Sequence, residues 1–405
     1  MLRIYDTLSG RKETFEPPAG RPLQMFVCGP TVYDYCHLGH ARTYVAFDVI
    51  ARYLRFKGYP LFFLMNITDI DERVVQKAKQ TGTDFTEISR TYEKYFLEDL
   101  RSLGVNSVDA FARASDHIPE IIAQIRGLIK KRFAYETTTG VYFNVKKSPR
   151  YGLLSRTRGE ISLRPLELCS SKRRPEDFSL WRKTDEDPKW DSPWGFGRPG
   201  WHIEDTAIAM KFFGSQYDIH GGASELVFPH HEAEIVQAEA FTGKRPYVEY
   251  WLHTGLLNIG GRKMSKSRGN MICNRDILKS YDFRVLRFYL TSHHYRHKIN
   301  FGEARLKEAG DELRSQVEVI DRFRELSASA RSRTQPRLVR ELEGLKILFM
   351  KAMDDDFDTP TALRVIQRMI NRLRSYAKRH REIDRLTQAR SLEVIQELAD
   401  IFGIL

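Results

Sequence analysis

The spacing of apolar residues changes character several times along the chain, and each change marks a different element. Leu23 to Cys28 (LQMFVC) is an unbroken apolar run that predicts a buried strand, closed by the turn signal Gly29-Pro30. From about His40, the residues Ala41, Tyr44, Phe47, Ile50, Ala51 and Leu54 recur at three- and four-residue spacing. This predicts a helix that Gly58-Tyr59-Pro60 stops. Leu61 to Met65 is a second short apolar strand. Strand, helix, strand in this order implies a parallel pair with a right-handed crossover, the opening of a Rossmann-like α/β fold. From about Lys94 to Gly197 the pattern loosens. Helical periodicity around residues 116–131 alternates with the β-like segment TTTGVYFNV and basic loops such as SSKRRPED, so this stretch is expected to be an insertion between two halves of the α/β unit. Strand and helix signals resume from Tyr217 to about Leu290. Beyond residue 303 strand signals fade, and Ala362, Ile366, Met369, Ile370, Leu373 and Ala377 form an apolar stripe of a helical bundle. Arg333 to Arg340 is expected to be a loop in that bundle. The chain thus divides into an α/β unit over residues 1–302, with its insertion at about 94–197, and a bundle over 303–405.

Composition narrows the picture. With 405 residues, 41% of them hydrophobic and 12% aromatic, the chain can bury two or three ordinary globular cores. No apolar run approaches the roughly 18–20 residues of a membrane span. Charges stand where a signal peptide would have its apolar region, and four scattered cysteines make no disulfide framework, so a reducing cytoplasm is expected. The net charge is +12; residues 301–405 hold 20 Lys/Arg against 18 Asp/Glu, which leaves +10 on the first 300 residues. Such an excess suits an anionic partner, although a solvated basic surface would read the same way.

Two motifs bring in chemistry. His37-Leu38-Gly39-His40 falls between the first strand and its helix, where backbone N–H groups and the positive helix end would face a phosphate. Gly39 would allow close approach, and the imidazoles of His37 and His40 could donate to a developing phosphoryl charge. Lys263-Met264-Ser265-Lys266-Ser267, flanked by Gly260-Gly261 and Gly269, reads as a mobile loop able to fold over a polyphosphate. Taken singly, these are equally a pair of turn histidines and a solvated basic loop. Together, in this order and over 220 residues apart, they are the signature of class I aminoacyl-tRNA synthetases. A third constellation suits a metal. Cys28 ends the first strand, and a helix beginning after Pro229 would place His230 and Glu234 one turn apart on one face. All three side chains are competent zinc ligands, though His230 and Glu234 alone would also read as a surface pair.

The blocks FVCGPTVYDYCHLGHARTYVAFDVIARYL, NITDIDERV, DFSLW, SPWGFGRPGWHIED, YDIHGGASELVFPHHEAE and GRKMSKSRGN resemble, in order, those of the cysteinyl-tRNA synthetase family, and DDDFDTPTALRVI resembles its helical domain. The resemblance implies a class I catalytic domain followed by a tRNA-binding bundle. It implies one zinc ion at the base of the amino-acid pocket, on Cys28, Asp205, His230 and Glu234. Asp205 stands where bacterial-type members carry cysteine, and GWHIEDTAI is similar to an archaeal-type variant. Zinc would bind the substrate thiolate and so separate cysteine from the nearly isosteric serine.

Gly29, Thr31, Thr68, Trp201 and His220 fall on amino-acid-pocket positions, with Trp201 as a wall and Thr68 near the substrate amine. Glu225 replaces the family's usual aspartate and receives no role. His37, His40, Lys263 and Lys266 are implied to be catalytic, with Gly39, Ser265, Lys266 and Ser267 binding ATP and Mg²⁺ accompanying it. The implied substrates are L-cysteine, ATP and tRNA(Cys). The family's small C-terminal segment that helps hold the anticodon is expected to be missing, as it is from cysteine ligases that use a sugar amine as acceptor. Arg364, Arg368 and Arg372 at four-residue spacing, with the clusters Lys130-Lys131-Arg132 and Lys172-Arg173-Arg174, favour RNA. A sugar-amine ligase and a non-catalytic RNA-binding paralogue remain the alternatives.

Overall fold

A computed structural model describes residues 1–157, 171–264, 269–328 and 336–405. It opens with an antiparallel hairpin, β1 (Arg3–Asp6) and β2 (Arg11–Thr14). Then come β3 (Leu23–Val27), α1 (Leu38–Phe56), β4 (Leu61–Ile67), α2 (Glu72–Thr81), α3 (Phe85–Ser102) and β5 (Ala110–Arg113). Helix α4 (Ile118–Lys130) leads into four antiparallel strands, β6 (Ala134–Glu136), β7 (Gly140–Phe143), β8 (Phe178–Lys183) and β9 (Gly197–Pro199). The α/β pattern resumes with α5 (Trp201–Phe213), β10 (Tyr217–Ala223), α6 (Glu232–Thr242) and β11 (Val248–Thr254). All five strands of the main sheet run parallel, in the order β11-β10-β3-β4-β5. The strand order reverses between β3 and β10. Ligands of such sheets bind in the crevice beyond the carboxyl ends at this switch point, which is where Cys28 and the segment after Ala223 lie.

The first expected strands and helix are present, with two shifts. Helix α1 begins at Leu38 rather than about His40, because the His37 ring caps it by accepting from the backbone N–H groups of Gly39 and His40. The insertion does not begin near Lys94. Strand β5, which α3 leads into, belongs to the main sheet, pairing with β4 from Leu64↔Ala110 to Ile67↔Arg113, so the inserted sheet follows residue 113. The weak apolar signal of a four-residue edge strand concealed this boundary.

A small sheet of β12 (Leu257–Ile259), β13 (Arg262–Lys263) and β14 (Ile299–Phe301) includes Lys263, the first residue of the second motif, with α7 (Asn274–Ser280) and α8 (Phe283–Thr291) between its strands. The helical part comprises α9 (Glu303–Arg324), α10 (Pro336–Met353), α11 (Thr359–Arg379) and α12 (Arg385–Phe402), with the short paired strands β15 (Ser327–Ala328) and β16 (Glu382–Ile383). The expected loop at 333–340 is instead helical from Pro336, a residue suited to a first helical turn. The predicted stripe of α11 is buried from Ala362 to Leu373, with Ala377 half-buried, while Arg364, Arg368 and Arg372 face solvent. One apolar core runs from β3, β4 and α1 into α9–α12 without a break at residue 302.

A fully buried ion pair lies beside that junction and is tied across it by one hydrogen bond. Arg287 on α8 donates to Asp48 of α1 at 2.6 Å, to Phe402 O at the end of α12 at 2.6 Å, and to Leu103 O and Gly104 O at 3.1 Å each. Asp48 also accepts the backbone N–H groups of Asn106 and Ser107, both at 3.1 Å. Removing one partner of a buried pair strands the other charge, at a cost of about 3–5 kcal/mol, but Arg52 Nε also lies 2.8 Å from Asp48 Oδ2 and keeps it partly paired. Arg287→Met should therefore lower the urea unfolding midpoint, by less than a wholly stranded charge would. Combined with Asp48→Leu it should cost less than the two single losses summed, because the second change removes the stranded charge.

Candidate functional site

Strand β3 delivers Cys28 to the switch point, where its backbone N–H bonds to Gly221 O of β10 at 3.0 Å. The next residue must be glycine: a Cβ at Gly29 would lie 1.8 Å from Asn66 O of β4. Around Cys28 Sγ stand Asp205 Oδ2 at 3.2 Å, His231 Nε2 at 3.1 Å and His220 Nε2 at 3.4 Å. His230 Nε2 lies 3.2 Å from Asp205 Oδ2 and 3.1 Å from Glu234 Oε1. A wide turn over Val227–His231 precedes regular α6, so the helix starts two residues later than expected, yet His230 and Glu234 still share a face. The structure thus gathers all four sequence-assigned ligands and adds His231. The donor atoms of Cys28, His230, His231 and Glu234 all lie within 4.8 Å of one another.

The electrostatics of this cluster fit a bound cation. Burial, with Asp205 and Glu234 adding to it, pushes the Cys28 thiol far above its usual range. Burial and Asp205 do the same to Glu234, both of whose oxygens are buried without a hydrogen-bond partner. Burial holds His220 and His231 far below the ordinary imidazole value, and His253 at about 3. Neutral imidazoles beside acids that would ionise only against a nearby positive charge form the donor set of a thiophilic divalent metal. The far ring nitrogens are held as well. His230 Nδ1 meets His202 Nδ1 at 2.9 Å, and His231 Nδ1 meets His253 Nε2 at 2.8 Å, so each Nε2 is turned towards the cluster.

Asn66 was not foreseen. Its Oδ1 accepts the Gly29 N–H at 2.6 Å while its Nδ2 donates to Asp205 Oδ1 at 2.7 Å and Thr68 Oγ1 at 3.3 Å. It therefore turns the other Asp205 oxygen towards Cys28 and His230.

A cleft of about 330 Å³ opens beside the cluster, walled by Cys28, Thr31 and Trp201 at one end and by His37, His40 and Lys263 at the other. Trp201 stacks on His230 with ring centroids 4.1 Å apart. Gly29 lines the cleft as expected, but Thr68 and His220 do not. Thr68 is buried, its hydroxyl turned to Asn66 and its backbone paired with Pro30 and Val32. His220 is wholly buried behind Cys28, stacked on Trp251.

At the other end His37 Nδ1 accepts from Gly39 N at 3.1 Å and His40 N at 3.4 Å, and His40 Nδ1 accepts from His37 N at 3.2 Å. These helix-terminal N–H groups are thus committed to the cap rather than left for a phosphate, and the His37 ring covers Gly39. With both Nδ1 atoms accepting, the proton of each ring sits on Nε2. Lys263 is ion-paired with Glu225, the residue left without a role in the sequence reading. Ser265, Lys266 and Ser267 lie outside the described residues. Arg73, also unforeseen, enters the Cys28 and Trp201 end of the cleft from α2.

A parallel sheet with its cleft at the switch point, the His-x-Gly-His turn under it and an appended helical module is the architecture of a class I aminoacyl-tRNA synthetase. The profile described as tRNA synthetases class I (C) catalytic domain matches residues 14–311, and the DALR domain profile matches 348–405. Cysteine–tRNA ligases of Thermococcus onnurineus and Pyrococcus furiosus are 41% and 43% identical to the chain, over all of its length and 86% of theirs. The chain belongs to the cysteinyl-tRNA synthetase family. Among solved structures, methionyl-tRNA synthetase of Mycobacterium tuberculosis with methionyl-adenylate superposes with a TM-score of 0.66 at 14% identity, over 95% of this chain and 90% of that one, a likeness of fold. No helix among the described residues is long and apolar enough to cross a membrane.

Two measurements check the cluster. Asn66→Ala should weaken divalent-metal binding about 10- to 100-fold with the far-ultraviolet circular dichroism unchanged, as read by competition with a chromogenic chelator. Metal must displace protons held by Cys28 and Glu234, so affinity should rise with pH from the acid side up through neutrality. A Co²⁺ absorbance titration that is flat across this range would count against these ligands.

Proposed function

We propose that the chain activates L-cysteine with ATP and transfers it to tRNA(Cys). The observation that carries this reading is the buried thiol, carboxylate and imidazole cluster at one end of a cleft whose other end bears His37 and His40. Cys28, Asp205, His230 and Glu234 would hold a zinc ion, with His231 against Cys28. Zinc bound there would accept the substrate thiolate, a ligand that a serine hydroxyl does not match. Gly29, Thr31 and Trp201 would then confine the small amino acid.

In the first step the cysteine carboxylate attacks the α-phosphate, giving cysteinyl-adenylate and pyrophosphate. The Nε2–H groups of His37 and His40 suit the charge that develops there. Lys263 would exchange Glu225 for the β- and γ-phosphates, joined by Lys266 and by the hydroxyls of Ser265 and Ser267, with Mg²⁺ on the triphosphate. In the second step a terminal ribose hydroxyl of tRNA attacks the acyl carbon and AMP leaves. Positioning and charge stabilisation carry both steps.

The helical part over 303–405 serves as an RNA-binding module through the exposed Arg364, Arg368 and Arg372. The inserted sheet adds Lys130 to Arg132 and Lys172 to Arg174 along the acceptor's approach. Free thiols at Cys28, Cys36 and Cys273 suit a reducing cytoplasm.

The test offers purified protein, ATP and cysteine either total tRNA or a glucosamine-type acceptor. Cysteine should appear on tRNA, and pyrophosphate exchange with serine should fall about 10⁴-fold or more below that with cysteine. Cysteine on the amine alone would make the chain a small-molecule ligase, and equal exchange with serine would remove the metal from side-chain selection.

A further inference from the structure

Among the described residues lining the cleft, the charged side chains besides the His37–His40 pair are Arg73, Glu225 and Lys263. Glu225 and Lys263 neutralise one another at the phosphate end. At the amino-acid end, beside Gly29, Thr31 and Trp201, the cation is Arg73, itself ion-paired with Asp71. An amino acid entering there brings a carboxylate that must lose much of its water, and a buried or half-buried anion requires a partner.

Arg73 is set in place before any ligand arrives. Its Nε donates to Asp71 Oδ1 at 2.8 Å, and its Nη2 to Asp71 Oδ2 at 3.2 Å and to Thr31 Oγ1 at 2.7 Å. Asp71 is itself fixed as the N-cap of α2, accepting the Arg73 backbone N–H. The guanidinium carbon lies 5.3 Å from the Tyr33 ring centroid and 6.0 Å from that of Trp201. Trp201 stacks on the other side of this span against His230, with ring centroids 4.1 Å apart. One indole therefore links the metal-binding imidazole to the guanidinium. Thr31, which Arg73 touches, is three residues from Cys28, a chain span of no more than about 11 Å. The Arg73 side chain is still 45% exposed and lines the cleft as well as a neighbouring cavity beside α2.

We propose that Arg73 is a substrate-binding residue whose guanidinium receives the α-carboxylate of the amino acid whose thiol enters the buried cluster. The proposal rests on the reading of the cleft as a cysteine site. The donors that Asp71 and Thr31 leave over receive one carboxylate oxygen and leave the second free to react. The guanidinium also screens the repulsion between that carboxylate and the triphosphate. A site built this way rejects aminothiols that lack a carboxylate.

The experiment measures binding of L-cysteine and of cysteamine, which keeps thiol and amine but has no carboxylate, to the metal-loaded protein by calorimetry. Arg73→Gln should weaken L-cysteine about 10- to 100-fold, the usual cost of losing a charged hydrogen-bond partner, and leave cysteamine within about twofold. Arg73→Lys should recover much of the loss, and in pyrophosphate exchange the KM for cysteine should move more than kcat. Equal weakening of both thiols would make Arg73 a structural support and overturn the proposal, as would unchanged L-cysteine binding. A wild-type protein that binds neither thiol would overturn the cysteine reading of the cleft and the proposal with it.

Discussion

The site depends on where α1 sits, and α1 is held by a buried charge pair, Asp48 with Arg287. Asp48 and Arg287 are both wholly buried, and the guanidinium uses its donors on α1, on the turn after α3 and on the last carbonyl of α12. Such a pair adds little net stability over an apolar replacement, but its arrangement is unforgiving. Any shift of α1 relative to α8 would leave a full charge in a dry interior. The His37–His40 turn, at the other end of the same helix, inherits that precision.

The cleft has two ends of opposite electrostatic character. The floor holds acids that burial keeps protonated, with imidazoles kept neutral, so it gains most from a divalent cation. The far end presents two Nε2–H groups and a lysine already paired with Glu225. Local chemistry at each end is set by contacts within a few ångströms. The distance between the ends is set by β3 and the first turn of α1.

Much of this was legible in the sequence where function and local structure coincide. Cys28 closes an apolar strand, the two histidines straddle a helix start, and His230 and Glu234 have helical spacing, so each could be placed by periodicity. What escaped was whatever only the folded sheet brings together. Asn66 acts on Asp205 across 139 positions, and His231 is one of two adjacent histidines that periodicity could not separate. Arg73 owes its place to the Asp71 cap and the Thr31 hydroxyl. The start of the insertion was misplaced for a related reason: β5 is an edge strand of four residues, defined by its partner β4 rather than by its own apolar content.

The backbone of Cys28 is fixed by main-chain contacts. Gly29 sits against the Asn66 carbonyl, and Cys28 is tied to Gly221 through backbone atoms. A frame of that kind is indifferent to side-chain drift, whereas the Asp205 carboxylate is oriented through side chains, Asn66 on one oxygen and Cys28 and His230 on the other. Were the cluster to hold a metal, relatives sharing this fold would be free to trade oxygen for sulfur at position 205 while the backbone around Cys28 stayed the same.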